Sequence, residues 1–241
     1  MKKFLIGIAA LFLIAITGSL WWLSNSLDTQ VASAIRRYGS EITGVPIGLS
    51  QANMNPIDGK AALYGLVIGN PDGFKAKQAL SLGEISMTLD ISSLATDVIR
   101  IKALTLIKPE ITYEYASGTS NLNVLQRNIE RYIGHNKQQT QPSKSRKKLV
   151  IEHLYVKNAT AHLSGELLTG KGVSVSIPDM HLQDIGRKSE GVTAGEVTKQ
   201  ILSSIVQQVS TAMTSAGVHT ATQTIQKAVD STSQTIKKLF K

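Results

Sequence analysis

Between Leu66 and Leu125 the chain alternates so regularly that strands are the only economical reading. Ile85, Met87, Leu89 and Ile91 alternate with Glu84, Ser86, Thr88 and Asp90. Ile111, Tyr113 and Tyr115 alternate with Glu110, Thr112 and Glu114 in the same way. A period of two sends successive side chains to opposite faces, so each strand has one apolar and one polar side. The run begins near the turn signal Asn70-Pro71-Asp72-Gly73 and ends beyond Asn121. Asn121 is placed to cap a helix carrying Leu122, Leu125, Ile129 and Tyr132 on one face. Ala62 to Ile68 is apolar on both phases, which predicts a strand covered on both sides or one lying near a membrane anchor.

Part of this run occurs twice. IRIKALTLIKPEITY, from Ile99 to Tyr113, matches LVIEHLYVKNATAHL, from Leu149 to Leu163. At an offset of fifty, Ile101 meets Ile151, Leu104 meets Leu154, Leu106 meets Val156 and Tyr113 meets Leu163. Both copies step by three from the first apolar position to the second. An odd step sends the apolar set to the wrong face unless a bulge absorbs the extra residue, so a bulge or sharp bend is expected in each copy. Bulges increase twist and bend, and two such strand pairs predict a strongly curved sheet. A further strand region is expected from Val173 to Ile185.

The ends of the chain have a different character. Phe4 to Leu23 carries no charge over about twenty residues, long enough to cross a hydrocarbon core of roughly 30 Å. Lys2 and Lys3 precede this segment and no Lys or Arg follows it until Arg36. By the positive-inside rule the N-terminus is then cytoplasmic and the body lies across the membrane, with Trp21 and Trp22 at the interface. The reading is an uncleaved anchor, because the segment is long for a signal peptide and its small residues make a poor cleavage site. Leu27, Val31, Ile35, Tyr38 and Ile42 form one helical face, expected to continue outward as a stalk until Gly44 and Pro46 stop it. At the other end, Val197, Ile201, Ile205, Val209 and Met213 step by four, and a looser apolar stripe continues beyond Gly217. This predicts one or two amphipathic helices, packed on the domain or lying as a lid or on a membrane.

Taken together, the expected fold is α+β: an N-terminal transmembrane helix, a curved, mostly antiparallel, groove-like sheet, and C-terminal amphipathic helices. The segments are an anchor over 1–23, a stalk helix over 24–44, a β-rich domain over 45–190 with a basic linker over 134–148, and a helical segment over 191–241. That linker, GHNKQQTQPSKSRKK, is read as a solvated loop or a contact for lipid headgroups.

Catalytic chemistry has little to stand on. The chain has no cysteine, which removes disulfides, thiolate metal sites and thiol nucleophiles. No His-x-x-x-His, His-Glu-x-x-His or Gly-x-Ser-x-Gly pattern occurs, and the glycines form no phosphate loop. His153, His162 and His181 fall in strand regions and could converge in space, but without a ligand motif they read as scattered surface residues, and Glu110 and Glu114 read as a solvated pair on one strand face. Catalytic, cofactor and metal sites are therefore expected to be absent. A net charge of +9 suits nucleic acid or anionic lipid. For a body exported from the cytoplasm, the membrane surface is the expected partner and nucleic acid is not.

The order of parts carries a resemblance. Asn70-Pro71-Asp72-Gly73-Phe74, the alternating strand LSLGEISMTLDI, the Pro109-Glu110-Ile111 junction and Asn121-Leu122 follow one another as in the AsmA-like family of bacterial envelope proteins, which residues 45–190 resemble. The resemblance implies a single inner-membrane anchor, a periplasmic β-rich body and a role in phospholipid transport or in outer-membrane and envelope maintenance, without catalytic residues. On that reading acyl chains lie against Ile85, Met87, Leu89, Ile91, Leu104, Leu106, Leu154 and Val156. The same side chains serve equally as an ordinary core, and a structural or adaptor protein without lipid cargo is the competing expectation. Possible protein partners in the envelope stay unnamed.

Overall fold

The computed structural model of the chain describes residues 27–138, 147–165 and 173–215. The expected anchor, with Lys2, Lys3, Trp21 and Trp22, and the stripe beyond Gly217 lie outside the described residues. Among those described, no helix is long and apolar enough to cross a membrane.

The fold is α+β, with three helices and a mixed, mostly antiparallel sheet of ten strands among the described residues. Helix α1 covers 27–43. Two short strands, β1 (Ile47–Gly48) and β2 (Gln51–Asn55), both pair with β3 (Lys60–Gly69). The sheet continues through β4 (Gln78–Leu89) to β5 (Val98–Ala116), its longest strand. After β6 (Thr119–Ser120) the chain forms α2 (Asn121–Gln138) and returns as β7 (Lys148–Lys157) and β8 (Ala159–Gly165). Then come β9 (Val173–Ile177), β10 (Met180–Ile185) and α3 (Ala194–Ser215).

The repeat is physical. Strands β7 and β8 lie parallel to β5, in register at the offset of fifty: Ile101 opposite Ile151, Leu104 opposite Leu154, Leu106 opposite Val156 and Tyr113 opposite Leu163. Helix α2 lies in the connection between the two copies, as a parallel crossover requires. Equivalent side chains therefore sit side by side on one face, where they form two matching ladders.

The expected bulge is present where β5 meets β4. Thr88 faces Ala103 but Leu89 faces Ile101, which leaves Lys102 as the extra residue. The same line crosses the neighbouring strands at Glu152 and at Asp184, whose φ is +55°. A second line escaped the sequence reading. Gly65, Gly83, Lys108, Asn158 and Pro178 occupy one row across the sheet, reading the register through, and none of them makes a regular cross-strand pair. Gly65, Lys108 and Asn158 have φ of +61°, +52° and +55°. At this row every helix-facing set steps by three: Leu63 to Leu66, Leu82 to Ile85, Leu106 to Pro109, Val156 to Ala159, Ile177 to Met180. Two odd steps restore the phase, which is why long strands keep one face apolar throughout.

All three helices pack on that apolar face. In α2, Leu122, Leu125 and Ile129 are buried as the spacing predicts. Its cap is shared: the Asn121 side-chain oxygen accepts from the N–H of Leu122 (2.9 Å), as the expected cap, and the Ser120 hydroxyl accepts from the N–H of Asn123. Residues 134–138, expected in the basic linker, are the last turn of α2. Helix α3 begins with a reciprocal capping box between Thr193 and Glu196. It buries Val197, Ile205, Val209 and Met213 against its own domain. Helix α1 does not stand clear as a stalk. Ala32 and Ile42 are buried, Arg36 donates to Leu49 O (2.6 Å), and Asp28 accepts from the N–H of Met54 (2.8 Å); Tyr38 is exposed.

Candidate functional site: an apolar cavity beneath the helices

Between the sheet and the helices lies a cavity of about 250 Å³. Its floor is Leu63, Leu66 and Ile68 of β3, Leu80, Leu82, Ile85 and Met87 of β4, and Leu104 and Leu106 of β5. Its roof is Leu122, Leu125 and Ile129 of α2 with Ile201, Leu202 and Ile205 of α3. Thr43 and Thr198 complete the wall, and each hydroxyl donates to a carbonyl of its own helix, at Gly39 and Ala194. The wall thus offers almost no free hydrogen-bonding capacity. Leu66, Ile68, Met87, Ile201 and Leu202 are only half-buried and mark where the space approaches solvent. A larger hollow of about 390 Å³ is lined by a mixture of polar residues such as Asn53, Lys60, Ser86 and Thr105 with alanines and Met54 and Met87.

The structure divides the eight nominated side chains. Ile85, Met87, Leu104 and Leu106 line the cavity. Leu154 and Val156 do not: they are 0% and 1% exposed and belong to the solid core. Leu89 packs against the edge of that core. Ile91 is off the wall altogether, because β4 ends at Leu89 and the chain turns into a short 3-10 helix over Ile91–Ala95. Asp90 caps that turn; its hydrogen bond from the Ser92 hydroxyl holds its carboxyl below the usual carboxylate range, and Ile91 is left 45% exposed. The helix residues of the roof were not nominated. Apart from Leu202, their helical spacing placed them on apolar faces, but only tertiary packing opposes those faces to the sheet.

The motif residues behind the family resemblance converge in space. Glu114, expected to be solvated, is 3% exposed. It accepts hydrogen bonds from the N–H groups of Lys75 (2.7 Å) and Ala76 (2.9 Å) and from the Asn70 side chain (3.2 Å). Asn121 donates to Asn70 Oδ1 (2.8 Å) and Thr112 O (2.7 Å) and accepts from Glu114 N (3.0 Å). Asn70, Glu114 and Asn121 therefore tie the Asn-Pro-Asp-Gly turn to the end of β5 and the start of α2. Every donor is used, which makes this a structural knot. Beside it, burial pushes the Tyr113 phenol up to about 12, and Ser120 acts the other way. The Ser120 side chain lies near enough to influence the phenol but not in bonding geometry, since the Tyr113 hydroxyl is buried without a partner.

His153, His162 and His181 are exposed, as read, but two of them meet. His153 Nδ1 and His181 Nε2 are 3.2 Å apart. His162 Nδ1 lies 2.9 Å from Ser174 Oγ on an exposed strand pair. No carboxylate is bonded to that imidazole among the described residues, so the third member of a triad is lacking. Among the described residues no group of three or more His, Asp or Glu side chains is placed to hold a metal ion. No protein-family model matches the chain, and no curated protein matches it.

Proposed function

We propose that this chain is an inner-membrane-anchored, periplasmic protein of the AsmA-like kind, whose cavity accommodates the hydrocarbon part of a phospholipid. The observation that carries this reading is the cavity wall. It is aliphatic on every side, and its two threonine hydroxyls are satisfied internally, so a polar guest would lose hydrogen bonds at about 2–7 kcal/mol per group. A methylene placed there gains about 0.8 kcal/mol. The two rows of irregular pairing support a curved wall, since such positions bend and twist strands. The charge-free Phe4–Leu23 stretch, with Lys2 and Lys3 before it and Trp21 and Trp22 near its end, supports the anchor. The role is passive binding in lipid transport or envelope maintenance, with no cofactor and no nucleic acid. The cavity is smaller than the roughly 300–1,000 Å³ of sites for drug-sized ligands, so one copy holds a chain segment and leaves the headgroup outside.

Native mass spectrometry of the full chain extracted in detergent tests the reading. Co-purified phospholipid is expected, and Leu202→Trp at the cavity mouth should reduce its occupancy at least fivefold. A lipid-free protein, or equal occupancy in both forms, rejects it. A second reading, an envelope adaptor without lipid cargo, draws on α3, which already covers much of the apolar face. The lipid-free outcome would favour it.

A further inference from the structure

We propose that His153 and His181 form a two-histidine binding site for a divalent transition-metal ion on the sheet face opposite the helices. The site rests on the strand register rather than on any sequence motif. His181 of β10 pairs directly with Tyr155 of β7, and His153 sits two residues before Tyr155 on the same face. His153 and His181 are thus diagonal neighbours on adjacent strands, a separation that long side chains span.

The rings are held in place. Tyr155 stacks on His181 with centroids 4.3 Å apart and planes 13° apart, and it lies 6.2 Å from the His153 ring. The two facing nitrogens, His153 Nδ1 and His181 Nε2, are 3.2 Å apart. With metal–nitrogen bonds of about 2.0–2.1 Å, that separation corresponds to an angle at the metal of roughly 100°. This lies between a right angle and the tetrahedral value, so both nitrogens are within reach of one ion once the rings turn to aim their lone pairs at it. Both residues are exposed, which leaves the remaining coordination positions to water.

The proton inventory also permits binding. In the neutral pair one facing nitrogen donates its hydrogen to the other. Coordination replaces that hydrogen bond with two metal–nitrogen bonds, and the displaced proton moves to the far nitrogen of its own ring. No net proton is released. Imidazole suits zinc, nickel and copper, with copper bound most tightly. Lys157 opposes the cation, since its ammonium lies 5.7 Å from the Tyr155 ring centroid. The sequence allowed the three strand histidines to converge but did not single out this pair, because 28 residues separate the two ligands.

The test uses the full chain in detergent, titrated with nickel(II) and copper(II). One equivalent is expected to bind, with nitrogen coupling from two imidazoles in the copper electron paramagnetic resonance spectrum. His153→Ala and His181→Ala should each weaken nickel binding at least tenfold, while His162→Ala leaves it unchanged. All three positions are exposed, and circular dichroism checks that the variants stay folded. Absence of binding at millimolar nickel overturns the proposal. So does binding that survives either single substitution, or binding that is lost with His162.

Discussion

The two copies of the repeated strand make the same ladder but meet different neighbours. In the first copy, Leu104 and Leu106 border the cavity; in the second, Leu154 and Val156 are buried in the core and do not line it. Strand sequence and register are nearly equivalent, so the helices make the difference. The lesson is that an apolar strand face does not define a site. A site appears where the layer above the face leaves room.

Substitutions at matched positions break or sharpen this comparison. Leu154→Ala should destabilise the protein by about 2–5 kcal/mol, because it opens a new void in solid core. Leu104→Ala should cost less, about 2 kcal/mol, since the removed atoms already faced open space. Denaturant titration of both variants checks the order, and equal costs would mean that the cavity is filled in solution. Glu114 is matched by Ser164 in the second copy. Glu114→Ala strips the bonds to Lys75, Ala76 and Asn70 and should cost about 3 kcal/mol, whereas Ser164→Ala should stay within about 0.5 kcal/mol. Faster proteolysis in the 70–77 turn of the Glu114 variant would localise the loss.

The third pair concerns backbone strain. Lys108 and Asn158 share left-handed φ values, which an ordinary L-residue adopts at a cost of about 1–2 kcal/mol and asparagine tolerates better. Lys108→Gly should therefore raise the thermal midpoint, by an amount reflecting about 1 kcal/mol or less, and Asn158→Gly should change it less. The fourth pair is Tyr113 and Leu163. Burial raises the phenol from its ordinary value of 10 to about 12, so its neutral form is favoured in the folded state. That contribution is fully present below pH 10 and is lost as pH rises from 10 through about 12. Tyr113→Phe should remove this alkaline loss and, by deleting an unpartnered hydroxyl, leave neutral-pH stability unchanged or slightly higher. Stability curves at pH 8 and pH 11 decide it.

Much of this was legible in the chain because it is periodic. The alternation around Ile85 and Ile111, the offset of fifty, the bulge after Ile101 and the stripe from Val197 to Met213 all follow from which positions must avoid water. The second row of odd steps was hidden by Pro109, which interrupts the visible alternation, and by Ala159 and Ala161, which are too small to stand out as core. Glu114 misled for a related reason: alternation assigns it to the polar face, but the turn of residues 70–77 folds over it. The cavity roof and the His153–His181 contact depend on which elements meet, and no local pattern encodes that. Leu154 and Val156 show the limit plainly, since their spacing matches that of Leu104 and Leu106.

The two rows of skipped pairs divide the sheet into three strips, regularly bonded within themselves apart from the extra residue Ala79 opposite Ile68 and Gly69, and joined to one another where the ladder is interrupted. Such a sheet is a creased plate. It resists stretching along its strands but yields to folding about the creases, and the crease at Gly65, Gly83, Lys108 and Asn158 runs across the floor of the cavity. The depth of that space is then set by a mechanical angle as well as by side-chain size. In a hydrogen-exchange map the creases would appear as two fast bands crossing an otherwise slow sheet.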